Sequence, residues 1–103
     1  MKFEKTPRFD RDWAVLAREH RRFFRTAVPA FSKACDGYAL QPGSFVWPSA
    51  LRVRPMRSAP GIWEMTWSFS GPDGRATFEF VRVDGELRVR WRRIGDHGVF
   101  AEP

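Results

Sequence analysis

From Ile62 to Phe100 the chain alternates apolar and polar residues with a period of two, and two turn signatures divide that alternation into three segments. The apolar positions are Trp63, Met65, Trp67 and Phe69, then Ala76, Phe78 and Phe80, then Leu87, Val89 and Trp91. A helix cannot gather residues spaced by two on one side, so each segment predicts a half-buried strand. The breaks are Gly71-Pro72-Asp73-Gly74 and Asp84-Gly85. An Asp-Gly pair favours a two-residue type I′ hairpin, whose central residues both need positive φ, and this places Val83 opposite Glu86. Phe78 then faces Trp91 and Phe80 faces Val89 on the core side, while Glu79 faces Arg90 and Thr77 faces Arg92 on the other. Pairing Ser70 with Arg75 across the first turn sets Trp67 opposite Phe78 and Met65 opposite Phe80. Both hairpins thus put their aromatics on one face, and a slip of one residue in either would move them all into water.

The rest of the chain supplies what covers that face. Lys2 to Lys5 predicts a short edge strand. Thr6-Pro7 is a helix start, with Thr as N-cap and Pro at the first helical position, where no N–H is needed. Phe9, Trp13, Leu16 and Ala17 recur at helical spacing, and Phe24, Ala27, Val28, Phe31 and Cys35 form a second stripe. Pro29 removes a backbone bond inside that stripe and is expected to kink or divide the helix, and Asp36-Gly37 to end it. Tyr38 to Pro48 is an irregular connection whose Phe45 and Trp47 cap one end of the core. Leu51 to Pro55 resumes strand alternation, Leu51 and Val53 inward, Arg52 and Arg54 outward, with Pro55 confining it to an edge. The order predicts an α+β fold: a short N-terminal strand, two helices packed on one face of a twisted antiparallel sheet of about four strands, and the other face open.

With 103 residues, five Trp and ten Phe, the chain has apolar surface for a single domain spanning 1–103. The lone Cys35 has no partner for an intramolecular disulfide, and no N-terminal apolar run suggests a leader or a membrane span, so a cytoplasmic location is expected. A net charge of +6 favours a polyanionic partner. The preference for Arg over Lys suits bidentate phosphate contacts, although a genome rich in G and C gives the same bias. The cluster Arg18, His20, Arg21, Arg22 and Arg25 falls at the helix junction and reads as a solvated face.

The open sheet face collects Arg52, Arg54, Arg75, Arg90 and Arg92 among Glu64, Thr66, Thr77 and Glu79. Such a face is either an ordinary solvated surface stitched by cross-strand pairs or a phosphate groove, and five Arg against two Glu favour the groove. His97, just past the last strand, is a side chain able to donate a proton near neutral pH to a leaving oxygen. No cofactor is implied, and two His and one Cys offer no metal-ligand spacing.

Taken in order, FDRDW, LRVRPM, GIWEMTW, DGRATFEF and VRWRRIGDHGVF resemble the RelE/ParE superfamily of bacterial toxins over nearly the whole chain. The resemblance implies a RelE-like fold and, for the RelE branch, a metal-independent endoribonuclease that cuts mRNA, typically on the ribosome, through attack by the 2′-hydroxyl. It also implies a cognate antitoxin encoded nearby. Arg75 falls where RelE-type enzymes place a phosphate-binding arginine, and Arg93 and His97 match the spacing of the catalytic arginine and histidine of YafQ-like members. Phe100 resembles the base-stacking aromatic that follows, one residue closer to the histidine, and Arg92 is a rival to Arg93. Where RelE has a lysine pair this chain has Glu64 and Thr66, and the general-base glutamate of YoeB-like members falls near Ser49. Glu79 is the remaining candidate base. ParE-like members instead poison DNA gyrase, so a non-catalytic binding protein on the same fold is the alternative.

Overall fold

A computed structural model describes residues 1–67, 74–96 and 101–103. Its elements are β1 (Lys2–Lys5), α1 (Pro7–Val15), α2 (Arg18–Leu40), a 3-10 turn (Ser49–Leu51), β2 (Arg54–Pro55), β3 (Trp63–Trp67), β4 (Gly74–Val83) and β5 (Glu86–Gly95). The five strands form one sheet in the order β1-β5-β4-β3-β2. The α+β class stands, but the sheet is mixed and has five strands where about four antiparallel ones were expected. β1 runs parallel to β5, with Phe3 beside Val89, while the other neighbours are antiparallel. The helices intervene between β1 and the rest of the sheet, so no tight turn constrains its direction.

The Asp-Gly turn sets the long hairpin as its chemistry requires. Asp84 has φ 54° and Gly85 φ 78°, both in the left-handed region a type I′ turn demands. Val83 pairs with Glu86, Phe80 with Val89, Glu79 with Arg90 and Phe78 with Trp91. Beyond that point the register departs from strict alternation: a bulge between Thr77 and Phe78 pairs Thr77 with Arg93, not Arg92. It gives β5 one extra residue, so that Trp91 and Ile94 both face the core although three positions apart.

In the first hairpin Trp67 pairs with Gly74, Met65 with Ala76 and Trp63 with Phe78. Expected and observed registers differ by four residues, an even number, which is why every side chain keeps its face. The contact fixing this register is steric. Any Cβ at Gly74 would collide with the Trp67 indole, so the broad ring and the bare backbone occupy one site. Phe69 and Ser70 lie outside the described residues.

Thr6 caps α1 by accepting from the Phe9 amide, with Pro7 in the first turn. α2 is a single helix through Pro29 and runs past Asp36-Gly37 to Leu40, so neither the division at Pro29 nor the stop at Gly37 occurs. Gly37 serves packing: a Cβ there would stand 2.5 Å from the Phe45 ring, which folds back onto the helix. Phe9, Phe24, Phe31, Met65, Trp67, Phe78, Val89, Trp91 and Ile94 form the buried core. Phe31 lies 5.0 Å from both the Phe78 and Trp91 rings, centroid to centroid. Phe80 is half-buried, stacked on Tyr38 at 4.7 Å, where Phe45, Trp47 and Trp63 close that end of the core. Cys35 is buried among these side chains, and burial pushes its thiol up to about 12.

In the Arg18–Arg25 cluster Arg18, Arg22 and Arg25 are exposed, as expected of a solvated face, but two of its arginines also hold the helix junction. Arg21 donates to the carbonyls of Trp13 and Ala14 at 3.0 and 2.9 Å, capping the end of α1, and Arg25 lies 5.1 Å from the Trp13 ring centre. Opposite the helices the polar face is less open than alternation suggests. Thr77 is fully buried, and its hydroxyl donates to the Pro103 carbonyl at 3.0 Å, so residues 101–103 cover the middle of that face.

Candidate functional site

At the β2 edge the sheet, the 3-10 turn and the start of β4 enclose a cavity of about 340 Å³ lined, among the described residues, by Arg52, Val53, Arg54, Thr66 and Arg75. Each arginine reaches it for a local reason. Leu51 and Val53 are buried anchors, and the residue between them must turn the chain outward. Arg52 does so in the left-handed region, with φ 46° and ψ 46°. A side chain with a Cβ holds that conformation at a cost on the order of 1 kcal/mol, a strain found where a site needs a particular direction more than an easy backbone.

Arg54 pairs through Nε with Glu64, its cross-strand partner. Glu64 is 6% exposed in its side chain and Arg54 71%, so the carboxylate anchors the guanidinium from beneath while its outer N–H groups stay accessible. Arg75 pairs with Thr66 on one side and Gly95 on the other, and donates from Nη1 to the Thr66 hydroxyl at 3.3 Å. The tail after β5 therefore begins beside Arg75. Three guanidinium forks around one cavity, with no carboxylate among its described walls, suit a phosphate or another oxyanion.

The other arginines of the same face have a different setting. Arg90 donates to Glu4 at 2.6 Å and to Glu79 at 3.0 Å, and Arg92 donates to Glu79 at 2.7 Å and to the Pro103 carbonyl at 3.1 Å. Glu79 is thus held by two guanidinium groups, one bond to each carboxylate oxygen. Arg93 grips Asp12 of α1 with two bonds, 2.7 and 3.0 Å, and the Ile94 amide donates to the same carboxylate at 3.1 Å. Burial alone would raise the Asp12 carboxyl, but the bonds from Arg93 and Ile94, with the charges of Arg93 and Arg8, hold it below the ordinary carboxylate range. Asp12 in turn raises Arg93 by hydrogen bonding. This pair ties α1 to the bulge in β5.

The structure therefore brings Arg52, Arg54 and Arg75 together around the cavity and places Arg90, Arg92 and Arg93 away from it, on Glu4, Glu79 and Asp12. His97 and Phe100 lie outside the described residues. The chain matches no family model, no curated protein and no solved structure. Its functional reading rests on its own residues. Among the described residues no group of three or more His, Cys, Asp and Glu able to hold a metal ion occurs, and no helix is long and apolar enough to cross a membrane.

Sequence reasoning missed the partners that divide the arginines. Asp12 lies more than eighty positions from Arg93, and Glu4 as far from Arg90. One signal for the bulge was present: Trp91 and Ile94 are both apolar with two arginines between them, and strict alternation would bury one arginine.

Proposed function

We propose that this chain is a RelE-like toxin: a ribonuclease that cuts mRNA by attack of a 2′-hydroxyl on the adjacent phosphate and is neutralised by an antitoxin encoded beside it. The observation that carries the reading is the convergence of Arg52, Arg54 and Arg75 on one cavity, with Arg75 paired to Gly95, where the His97 tail begins. In this scheme the scissile phosphate sits in the cavity. The 2′-hydroxyl loses its proton to solvent water as its oxygen bonds to phosphorus and the bond to the 5′-oxygen breaks, leaving a cyclic phosphate and a 5′-hydroxyl end. Charge grows on the equatorial oxygens as this happens, and Arg75, half-buried and steadied by Thr66, is placed to stabilise it. His97 gives its proton to the leaving oxygen. Arg93 has no part in this chemistry, because its fork is committed to Asp12.

One observation favours a second reading, a binding protein on the same fold. Glu79, the remaining candidate base, is bound by Arg90 and Arg92 and does not line the arginine cavity. Expression in bacteria separates the two. The ribonuclease predicts growth arrest with transcripts cut at discrete sites, and relief of both by Arg75→Ala and by His97→Ala in folded protein. Arg75→Ala is expected to slow cleavage about a hundredfold or more. Arrest with intact transcripts and disturbed DNA topology assigns the gyrase-directed alternative, and no arrest leaves a binding module.

A further inference from the structure

Among the described residues the arginine cavity shares a wall with two further hollows, and the residue shared at each junction is an arginine. Arg52 also lines a hollow of about 430 Å³ between α2 and the 3-10 turn, with Thr26, Ala27, Ala30, Ala50 and Trp67. Arg54 also lines a third, of about 770 Å³, with Met56, Arg57 and Glu64, the carboxylate that pairs with Arg54, among its walls. Cationic dividers between successive spaces match a chain that carries one anionic group per repeat and a bulky group beside it.

The first hollow has the chemistry for that bulky group. Small side chains make up most of its walls, beside Leu51, Arg52 and Trp67, and its volume has room for one ring. Trp67 is 3% exposed and lines the hollow with part of its ring, its indole N–H turned against Gly74. Base edges carry ring nitrogens and carbonyl oxygens that accept, to which the Ser49 hydroxyl can donate, and amino groups that donate, for which the Thr26 hydroxyl, itself donating to the Arg22 carbonyl, keeps an accepting lone pair. A duplex keeps its bases stacked and paired, so only a single strand can offer one.

We propose that the hollow between α2 and the 3-10 turn seats one unpaired base of a single-stranded RNA whose adjoining phosphate lies between Arg52 and Arg75, the strand continuing past Arg54 to Arg57. The choice of RNA rests on the ribonuclease reading; the groove itself does not. Arg52 is then the divider that touches base and phosphate alike, which accounts for its left-handed backbone.

The test is fluorescence anisotropy with a labelled hexanucleotide bearing 2′-methoxy groups, which cannot be cleaved by 2′-hydroxyl attack, and with the same backbone lacking all bases. Ala30 and Ala50 are both exposed on opposite walls, so leucine at either fills the hollow without entering the core. Ala30→Leu and Ala50→Leu should each weaken the base-bearing strand about tenfold, the size of one stacking contact, and leave the baseless strand unchanged. Arg57→Ala should weaken both strands. Either leucine variant gives the answer if the other fails to fold. Unchanged affinity for the base-bearing strand in a folded leucine variant overturns the proposal. Equal weakening of both strands does so too, as does a hollow that takes an acidic peptide while RNA binding ignores the leucines. These results are separable from the cleavage reading. Binding as described with no cleavage of an unmodified strand sinks the ribonuclease and leaves the groove, whereas cleavage unaffected by all three variants sinks the groove and leaves the ribonuclease.

Discussion

Arg52, Arg54 and Arg75 on one side of the polar face, and Arg90, Arg92 and Arg93 on the other, are the same side chain in two electrostatic settings. The first three line a cavity whose described walls hold no carboxylate. The second three sit on Glu4, Glu79 and Asp12 at 2.6 to 3.0 Å. Counting arginines on a sheet face therefore says little about what it binds; the neighbour of each guanidinium decides. In the second set the pairs tie β1 to β5, β5 to β4 and α1 to the β5 bulge, so those charges hold the fold. In the first set, Glu64 holds Arg54 from below and leaves its outer edge to solvent.

The largest expected effect is one that abolishes the distinction. Phe78 is fully buried beneath both halves, so Phe78→Ala should cost about 3–5 kcal/mol and lower the denaturation midpoint for the whole domain. Loss of the cavity with the carboxylate network intact would show that the halves do not share one core.

Next in size is the clamp between α1 and β5. Asp12→Asn removes the partner of Arg93 and weakens an acceptor for the Ile94 amide, and should destabilise by about 1–3 kcal/mol at neutral pH. Because Asp12 is held below the ordinary carboxylate range, its contribution is complete above about pH 4 and is lost as pH falls through its lowered folded value. Unfolding curves of the two proteins should therefore converge in acid. A pH-independent gap would mean that the clamp acts by packing alone.

Arg52→Gly sharpens the contrast in the opposite direction. Glycine adopts φ 46° without strain, so stability should rise by up to about 1 kcal/mol while affinity for a phosphate-bearing strand falls. Losing both would make Arg52 a structural residue like those of the second set.

How far the sequence announces this arrangement depends on the range of each interaction. Asp84-Gly85 fixes its hairpin because two positive φ angles are a local demand, and the register holds from Val83 down to Phe78. Past Phe78 the bulge intervenes, and a doublet such as Arg92-Arg93 can hide an extra residue because either arginine suits the polar face. In the other hairpin Gly71-Pro72-Asp73-Gly74 fixes only parity, and the choice among even registers falls to Trp67 meeting Gly74 across the sheet. The candidate site was legible as a face and a residue type. Its division was not, because Asp12, Glu4 and Pro103 reach the arginines through tertiary packing.

The central claim is that phosphate is held by the arginines that line the cavity and not by Arg90 and Arg92. Its most direct test is the salt dependence of single-stranded RNA binding for Arg54→Ala and Arg75→Ala beside Arg90→Ala and Arg92→Ala. Each phosphate contact on a single strand contributes about 0.7 to the slope of log affinity against log salt. The first two variants should each reduce the slope by about that amount, and the second two should leave it unchanged. A slope that falls equally in all four, or falls only in the Arg90 and Arg92 variants, would contradict the account.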